Sequence, residues 1–304
     1  MAGSLFITGA SGFIGRCLLS RPSIGQYDRV YCLSRNEESV RKLVGHANIH
    51  WLVGSLSDSE VYGGCLENCN AVIHLAGATG KAAREHYFTV NSAGTRYLLE
   101  QCKQRGVKKF LYASSIVVKY RDNSHYYYAQ SKREAEEAVK ASGLNYNIVR
   151  PTIVLGKESP GWKTLSMLAR LSVVPVLGDG RTRIQPIAVD EVADAIISIV
   201  QEAEFRNEIF DLGGPEILSI EDLLRRVHRL YHSAEPRVVH LPYKPVKAMV
   251  AWAERCAPAL MPVNAGQLSV FVEDGTAAPN RLYEKRRPHM ESLDTLLKAL
   301  TRDD

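Results

Sequence analysis

Residues 5–15 of the chain read Leu5-Phe6-Ile7-Thr8-Gly9-Ala10-Ser11-Gly12-Phe13-Ile14-Gly15. An apolar, strand-like run leads into three regularly spaced glycines and then into a segment with helical patterning. At such a junction the first glycine allows a tight turn, the second lets a pyrophosphate approach the backbone, and the third allows close helix–strand packing. Free N–H groups of the helix then face the phosphates. The stretch therefore predicts a dinucleotide-binding turn, and the alternative interpretation is a plain structural turn.

The first half of the sequence alternates short apolar runs with helix-patterned segments. The predicted strands are Leu5–Thr8, Val30–Ser34, Ile49–Val53, Ala71–Leu75, Lys109–Ser114 and Tyr146–Arg150. The predicted helices are Gly12–Leu19, Glu37–Val44, Asp58–Leu66, Tyr87–Arg105 and Tyr128–Ser142. This alternation is typical of right-handed βαβ units. We therefore expect an α/β fold of the Rossmann type, a doubly wound parallel sheet, over residues 1–150.

The second half is less regular, because prolines and glycines interrupt it between residues 151 and 186. A helix is predicted over Val189–Glu202, a strand over Ile209–Leu212, and a helix over Ser219–Tyr231 with Ser219 as its N-cap. We expect residues of about 185–214 to complete the Rossmann domain. Residues 151–184 and 215–304 are expected to form a small C-terminal substrate-binding lobe.

The composition is that of an ordinary globular protein, with 45% hydrophobic and 23% charged residues among 304. The net charge of +5 comes from 38 basic and 33 acidic residues that are spread along the chain. Such a mild balance favours small anionic ligands over nucleic acid as the partner.

The six cysteines show no CxxC pair and no metal-ligand spacing, which predicts reduced thiols, no metal site and a cytoplasmic location. Neither a signal peptide nor a membrane span is expected. The most apolar segment, 246–263, is interrupted by Glu254 and Arg255. Its apolar residues recur at helical spacing, which predicts a core or partner-facing helix.

A tyrosine and a lysine four residues apart form the candidate catalytic pair. Of the three successive tyrosines at 126–128, only Tyr128 is followed by a lysine at this spacing, Lys132. Positions i and i+4 share one helix face, where an ammonium group stabilises a phenolate and lowers the pKa of the phenol. Tyr128 would thus become a general acid/base near neutral pH. Ser114 and Ser115 end the preceding predicted strand, at the edge of the sheet where ligands bind.

The chain resembles the extended or atypical branch of the short-chain dehydrogenase/reductase superfamily. The resemblance rests on residues 8–15 and on Val72-Ile73-His74-Leu75-Ala76-Gly77, Asn91-Ser92-Ala93-Gly94-Thr95, Tyr112-Ala113-Ser114-Ser115, Tyr128-Ala129-Gln130-Ser131-Lys132, Arg150-Pro151-Thr152 and Pro186-Ile187-Ala188-Val189-Asp190-Glu191-Val192-Ala193. These motifs stand in family order and cover most of the chain. The glycine spacing is GxxGxxG rather than the GxGxxG of the general dinucleotide-binding pattern.

This resemblance implies hydride transfer between a nicotinamide cofactor and a carbinol or carbonyl carbon. Tyr128 would exchange the proton, Ser115 would polarise the oxygen, Lys132 would tune Tyr128, and Asn91 would support Lys132. His74 is expected to be structural. The implied cofactor contacts are Gly9, Ser11, Gly12, Phe13, Ile14, Gly15, Arg16, Arg35, Leu75, Ala76, Gly77, Ser114, Tyr128, Lys132, Pro151 and Ile153.

The residues after the second predicted strand favour NADP(H) over NAD(H). An acidic residue there would hold the ribose 2′-hydroxyl, but the strand ends in Leu33-Ser34-Arg35-Asn36, and Asp28 precedes it. The planar cation of Arg35, or that of Arg16, can meet a 2′-phosphate. The alternative is that both are solvated surface arginines. The resemblance also implies an adenine contact from a Gly-Asp pair, where this chain has Gly54-Ser55.

Within the extended branch, the resemblance implies a nucleotide-sugar epimerase or reductase as the first interpretation. Dehydration is disfavoured, because Ile116-Val117 replace the acidic pair of the dehydratases. Arg181, Arg183 and Gln185 are candidate substrate contacts or solvated loop residues. A second resemblance, carried by Leu177–Ala195 and by the tail around Gln267–Leu300, is to the atypical branch related to an accessory subunit of respiratory complex I. It makes a non-catalytic assembly or sensor protein the alternative. A reductase of lipid, steroid or other small carbonyls is the third interpretation.

By analogy, helices at 87–105 and 128–142 could pair in a homodimer.

Overall fold

The computed structural model describes residues 3–38, 46–256 and 264–302, with no description of the side chain of Arg255. Most of the helix predicted over 37–44, and the end of the segment 246–263, lie outside these residues. By its internal contacts the chain divides into two units. The first unit consists of residues 1–115, 130–150 and 189–210, and the second of residues 116–129, 151–188 and 211–304.

A seven-stranded sheet organises the first unit. Its strands lie in the order β11 (Glu208–Leu212), β6 (Tyr146–Pro151), β5 (Lys109–Ala113), β4 (Cys69–His74), β1 (Ser4–Thr8), β2 (Arg29–Ser34) and β3 (Ile49–Val53). The neighbouring pairs from β6 to β3 are parallel. The chain starts at the centre with β1, moves outward to β3, and crosses back to β4 on the other side of β1. This order reverses direction beside β1, which is where ligands bind in doubly wound folds. The predicted fold class is confirmed.

The strands and helices of the first half agree with the predicted ones to within a few residues. They are β1 (Ser4–Thr8), α1 (Phe13–Leu19), β2 (Arg29–Ser34), β3 (Ile49–Val53), α2 (Ser59–Leu66), β4 (Cys69–His74), α3 (Arg84–Tyr87), α4 (Gly94–Gln104), β5 (Lys109–Ala113), α5 (Tyr127–Ala141) and β6 (Tyr146–Pro151). The predicted helix over 87–105 is interrupted. Residues Phe88–Ala93 form a π-helical turn between α3 and α4.

The core of the first unit lies between the sheet and its helices. Fully buried side chains from β1, β4 and β5 meet those of α2, α4 and α5; examples are Phe6, Val72 and Phe110 from the strands and Tyr62 and Leu98 from the helices. Because both faces of the central strands are covered, these strands are apolar throughout rather than alternating.

The remaining elements are short strands and amphipathic helices. They are β7 (Val154–Leu155), α6 (Pro160–Ala169), β8 (Val173–Leu177), β9 (Arg183–Ile184), β10 (Ile187–Ala188), α7 (Val189–Gln201), β11 (Glu208–Leu212), β12 (Leu218–Ser219), α8 (Ile220–Tyr231), β13 (Arg237–Leu241), α9 (Tyr243–Cys256), α10 (Arg281–Arg286) and α11 (Leu293–Arg302). Short 3₁₀ segments lie between several of them. Ser219 caps α8 as predicted, since its hydroxyl accepts the N–H of Asp222 at 3.0 Å.

The second unit has its own core. Trp162 and Leu165 of α6, Leu223 and Val227 of α8, and Leu297 of α11 are buried together there. Three two-stranded sheets, β7–β10, β9–β12 and β8–β13, add to this unit. Within the described ranges, no helix is both long and apolar enough to cross a membrane.

Candidate active site

The glycine turn between β1 and α1 has the geometry that its sequence predicts. Gly9 has a φ of +71°, and a Cβ there would lie 2.5 Å from the amide nitrogen of Ala76. A Cβ on Gly15 would lie 2.4 Å from the carbonyl oxygen of Gly9. Only glycine fits at these two positions. At Gly12, by contrast, a Cβ would approach only the Gly9 oxygen, at 3.1 Å. The exposed face of Gly12 is thus open to a ligand.

The chain after β4 lies against this turn. The Leu75 N–H donates to the Thr8 carbonyl at 3.0 Å, and the Ala76 N–H donates to the Thr8 hydroxyl at 3.2 Å. These bonds continue the parallel pairing of β1 and β4 beyond the sheet. The predicted contact residues Leu75 and Ala76 therefore lie beside the glycine turn, whereas a Cβ on Gly77 would lie 3.2 Å from Asn91 Oδ1 and 3.4 Å from Lys132 Nζ.

His74 is structural, as expected. Its ring is fully buried and bridges two hydroxyls, with Nδ1 at 2.6 Å from Thr8 Oγ1 and Nε2 at 2.9 Å from Thr95 Oγ1. Burial, together with the nearby Lys132, lowers the pKa of the imidazole to about 3. A neutral ring is the form that such a bridge requires.

The candidate residues for cofactor selection stand at the ends of α1 and β2. Arg35 directly follows β2 and is exposed, as is Arg16 on α1. Asp28 precedes β2, as the sequence predicted. The hydroxyls of Ser11 and Ser34 lie 3.3 Å apart, which joins the glycine turn to the end of β2. Asp58 stands at the start of α2, but its carboxylate accepts the Ser55 N–H at 2.7 Å rather than an amide of the helix.

Lys132 lies on the second turn of α5 and is 3% exposed. Its ammonium donates to the carbonyl oxygen of Ala113 at 2.6 Å and lies 4.6 Å from the ring centre of Tyr112. Burial lowers the pKa of the amine to about 7, and the nearby carboxylate of Glu136 raises it in part. Lys132 is thus held at the carboxyl end of β5, where a change of charge is possible near neutral pH.

Glu136 and Arg150 form a buried ion pair that the sequence reasoning missed. The guanidinium donates through Nε to Glu136 Oε1 at 2.8 Å and through Nη2 to Oε2 at 2.5 Å. The Glu136 side chain is 2% exposed. Glu136 follows Lys132 by four residues and therefore shares its helix face. That spacing was a usable sequence signal, whereas the pairing with Arg150 is a tertiary contact.

Asn91 lies on the π-helical turn and is 1% exposed, so it is not a surface amide. Its Oδ1 accepts the Ala78 N–H at 2.7 Å, and its Nδ2 donates to the Ala78 carbonyl at 3.1 Å and to Ser131 Oγ at 3.0 Å. Asn91 thus joins the loop after β4 to the residue next to Lys132. Sequence reasoning did not identify Ser131, which is fully buried.

Ser114 and Ser115 follow β5 directly. The Ser114 N–H donates to the Val149 carbonyl at 2.8 Å, while its buried hydroxyl oxygen has no hydrogen-bond partner among the described residues. Such a group is costly unless a ligand or water satisfies it. Ser115 is half-buried.

The predicted site residues Tyr128, Pro151 and Ile153 belong to the second unit. Tyr128 lies in the first turn of α5, one turn before Lys132 on the same helix, and is half-buried. Tyr126 packs in a small core with Ile116, Val117 and Ala129, and the half-buried Tyr128 ring packs against the same core. Pro151 ends β6, and Ile153 precedes β7.

Gln185 is neither a solvated loop residue nor available to a ligand. It is 2% exposed, and its amide bonds to the Gly214 carbonyl, the Tyr283 hydroxyl and the Ala277 N–H. It ties three segments of the second unit together. Arg181 and Arg183 are exposed. The described residues contain no cluster of side chains suited to a metal ion.

The residues of the first unit fit a dinucleotide. The open face of Gly12 and the unsatisfied hydroxyl of Ser114 are both features that a bound ligand would complete. The exposed cation of Arg35 adds a group suited to a phosphate. The chain offers a turn for the pyrophosphate and a polar group at the end of β5.

Comparison with known proteins shows the relatives of the chain. A family model described as NAD(P)H-binding matches residues 9–203. A ceramide reductase from Caulobacter vibrioides is 28% identical over 79% of this chain and 74% of that protein. A UDP-glucose 4-epimerase from Vibrio cholerae is 25% identical over 75% of each chain. A mitochondrial protein from Arabidopsis thaliana, NADH dehydrogenase (ubiquinone) 1 alpha subcomplex subunit 9, is 25% identical over 81% of this chain and 62% of its own length.

The first curated relatives are longer than the region that matches this chain. The chain spans about three fifths of the first two curated relatives it matches, 59% and 62% of their length. Among solved structures, the enzyme WbmH of Bordetella bronchiseptica in complex with NAD+ has a TM-score of 0.73 and 19% identity, over 100% of this chain and 99% of that one. This likeness shows the fold. Because the family model covers well over half of the sequence, the chain belongs to the NAD(P)H-binding family, in the extended branch of the short-chain dehydrogenase/reductase superfamily.

Proposed function

We propose that the protein is an NADP(H)-dependent oxidoreductase or epimerase that acts at a carbinol or carbonyl carbon of a nucleotide sugar. The observation that carries the proposal is the burial of Lys132 at the end of β5, where its ammonium donates to the Ala113 carbonyl. The next residue after Ala113 is Ser114, whose buried hydroxyl is unsatisfied. Tyr128 lies one helical turn before Lys132 on the same helix. Burial of an ammonium is costly, so a lysine buried at the strand end where ligands bind in this fold supports a role in the reaction.

The proposed chemistry assigns one task to each side chain. A bound nicotinamide would supply or accept the hydride. The Tyr128 hydroxyl would give a proton to the substrate oxygen or take it, and the Ser115 hydroxyl would donate a hydrogen bond to that oxygen. The Lys132 ammonium favours the phenolate form of Tyr128. Asn91, through Ala78 and Ser131, holds the loop and the helix that carry this chemistry.

NADP(H) is the proposed cofactor, bound by the glycine turn with Arg35 and Arg16 at the 2′-phosphate. The support is the exposed cation directly after β2 and the position of Asp28 before that strand. A planar guanidinium suits a phosphate dianion, whereas the ribose diol of NAD(H) is usually met by a carboxylate. The variant Arg35→Asp should therefore reverse the preference between NADPH and NADH in equilibrium binding.

A nucleotide sugar is the first candidate substrate, and the UDP-glucose 4-epimerase among the relatives supports it. A long-chain lipid carbonyl is the second candidate. The ceramide reductase among the relatives supports it, as do the exposed side chains of Met249 and Trp252 in the second unit. Ile116 and Val117 follow Ser115 directly, so no carboxylate stands there to assist a dehydration.

The test combines ligand binding with turnover. Thermal-shift measurements with NADPH, NADH and UDP-, dTDP- and GDP-sugars identify the ligands. Cofactor absorbance measures turnover of a reductase on each carbonyl substrate. Chromatographic separation of the sugars measures turnover of an epimerase, which leaves the cofactor unchanged overall. Tyr128→Phe should abolish turnover and leave NADPH binding intact, while the matched control Tyr127→Phe retains both. Full activity of Tyr128→Phe would refute the assignment. Stabilisation by NADPH with neither its oxidation on any carbonyl nor epimerisation of any sugar would favour a non-catalytic, cofactor-holding protein.

A further inference from the structure

The ring of Tyr128 packs against a small hydrophobic core within the second unit. The buried members of this core are Ile116, Val117, Tyr120, Tyr126 and Ala129. The ring centres of Tyr126 and Tyr128 lie 5.9 Å apart, with an angle of 46° between the ring planes. The half-buried Tyr128 ring is therefore oriented by this core as well as by the backbone of α5.

A segment distant in sequence packs against the same core. Residues Gln267–Phe271 form a short 3₁₀ helix directly after Gly266, and the Val270 side chain of this helix packs against the core. We use the term supporting segment for residues 266–271. The core beside Tyr128 is thus built partly from the residues before α5 and partly from the C-terminal region.

At Gly266 the backbone of the supporting segment lies directly against the residues before Tyr128. Its φ of −67° and ψ of −35° are available to any residue, so the backbone conformation does not require glycine. A Cβ at this position, however, would lie 2.7 Å from the Cα of Tyr126 and closer still to the carbonyl oxygen of His125. Only glycine allows this close approach, which brings the two chain segments together two residues before Tyr128.

The supporting segment is fixed to other parts of the second unit. Its Leu268 side chain is buried and packs with Val250 of α9. The carbonyl oxygen of Phe271 accepts the Thr182 hydroxyl at 2.6 Å, and the Ser269 side chain is buried. Because these contacts hold the segment in place, it can restrain the core beside the Tyr128 ring.

Two ion pairs hold the loop before α5 at points farther from Tyr128. Lys119 pairs with the buried carboxylate of Asp211 at 2.6 Å, and Asp122 pairs with Lys247 at 3.0 Å. Both pairs belong to the second unit. The supporting segment meets the chain closer to Tyr128 than either pair does, so a change in this segment should affect the ring most directly.

We propose that the supporting segment positions the Tyr128 ring for proton transfer, with Gly266 and Val270 as positioning residues. This inference rests on the proposed function, in which the Tyr128 hydroxyl exchanges a proton with the substrate oxygen. Proton transfer requires hydrogen-bond distance, and a displacement of about 1 Å can lower a rate about a hundredfold. A change in the supporting segment should therefore lower kcat without weakening NADPH binding, because the glycine turn belongs to the first unit.

The test compares kcat and the dissociation constant of NADPH among variants of the supporting segment. In Gly266→Ala the new methyl displaces the backbone before Tyr128, and in Val270→Ala the core loses apolar contacts. Both variants should lower kcat by about tenfold or more and leave NADPH binding unchanged. Val270→Ile keeps an apolar side chain against the core and should retain the wild-type kcat.

Val227→Ala is the matched control for Val270→Ala. Val227 is buried in the other core of the second unit, together with Trp162 and Leu297. Its truncation should lower the stability of the chain and keep kcat at the wild-type level. An equal fall of kcat in Val227→Ala and Val270→Ala would assign the effect to a general loss of stability and overturn the positioning role.

NMR of the protein with isotope-labelled tyrosine rings gives a measurement that needs no substrate. The Tyr128 signal is identified by its absence in Tyr128→Phe, and it should shift in Gly266→Ala and Val270→Ala but not in Val227→Ala. Unchanged kcat in both variants of the supporting segment would overturn the positioning role and leave the proposed function intact, and an unchanged Tyr128 signal would do the same. Full turnover by Tyr128→Phe, or no turnover by the wild type on any substrate, would instead refute the proposed function and the positioning role with it.

Discussion

At the scale of single residues, the buried ammonium of Lys132 links stability to pH. Burial lowers its pKa in the folded state to about 7, from 10.5 in an exposed lysine. Between these values the unfolded chain binds more protons than the folded one, so the free energy of unfolding rises with pH. The cost of burying the charge is complete below pH 7 and disappears as the pH approaches 10.5.

Lys132→Met should therefore stabilise the protein most below pH 7, and its advantage should shrink at higher pH. The difference from the wild type should fall by at most about 1.4 kcal/mol per pH unit across this window. Urea unfolding at pH 6, 8 and 10 measures it. Lys140→Met is the control, because that amine pairs with Glu137 near the surface at the other end of α5. A difference that stays constant with pH would contradict the linkage.

The ion pair of Glu136 and Arg150 predicts a second residue-scale effect. Glu136→Gln leaves the buried side of the guanidinium without its carboxylate, and breaking a buried pair costs about 3–5 kcal/mol. The double variant Glu136→Leu/Arg150→Met removes both charges and should recover most of that loss. Chemical denaturation of the single and double variants measures this coupling. The neighbouring Glu137→Gln, which affects a surface pair, should change stability by less than about 1 kcal/mol; equal effects at both positions would argue against a special role of burial.

At the scale of elements, the π-helical turn Phe88–Ala93 sets the position of Asn91. Asn91→Ala removes the hydrogen bonds to both backbone groups of Ala78 and should loosen the loop after β4. Hydrogen exchange of peptides that cover residues 75–83 should become faster by about tenfold, since two lost bonds amount to about 1–3 kcal/mol. Thr89→Ala is the control, because Thr89 is exposed on the same turn. Unchanged exchange in Asn91→Ala would show that the loop holds its position without this side chain.

How far the sequence predicts these elements depends on the range of the interactions that form them. The edge strand β3 was predicted with its observed bounds, Ile49–Val53, and β1 begins only one residue earlier than expected, because apolar runs between turn residues are local signals. The π-helical turn was missed, since its altered hydrogen bonding leaves no periodicity that distinguishes it from an α-helix. The burial of Gln185 was missed as well, because its partners Gly214, Ala277 and Tyr283 are distant in sequence.

At the scale of the whole molecule, the family match and the two units divide the chain differently. The NAD(P)H-binding family model ends at residue 203, whereas most of the second unit follows residue 210. The glycine turn, Lys132 and the bridge of Asn91 all lie within the matched region. The family model thus covers most of the first unit and leaves out most of the second.

Cofactor binding should stabilise the whole folded chain. Substitutions at Gly12 and Gly15 distinguish an effect on cofactor binding from an effect on the stability of the ligand-free fold. At a hundredfold excess over its dissociation constant, NADPH should raise the free energy of unfolding by about 2.7 kcal/mol. Gly12→Ala should leave the ligand-free stability nearly unchanged, because the new methyl meets only the Gly9 oxygen, but it should abolish the gain from NADPH. Gly15→Ala should destabilise the free protein, since its methyl would lie within 2.6 Å of three backbone atoms.

Far-UV circular dichroism in urea, with and without NADPH, measures both quantities. Gly64→Ala is the control, because nothing lies within 4 Å of a Cβ at that helical position. It should stabilise the chain by about 0.5–1 kcal/mol and keep the full response to NADPH. If Gly12→Ala retained that response, the pyrophosphate could not be bound at the open face of the turn. If Gly12→Ala loses the stabilisation by NADPH while its ligand-free stability is unchanged, the dinucleotide binds at Gly12. A methyl group at this position has space in the ligand-free fold and would obstruct only an approaching ligand.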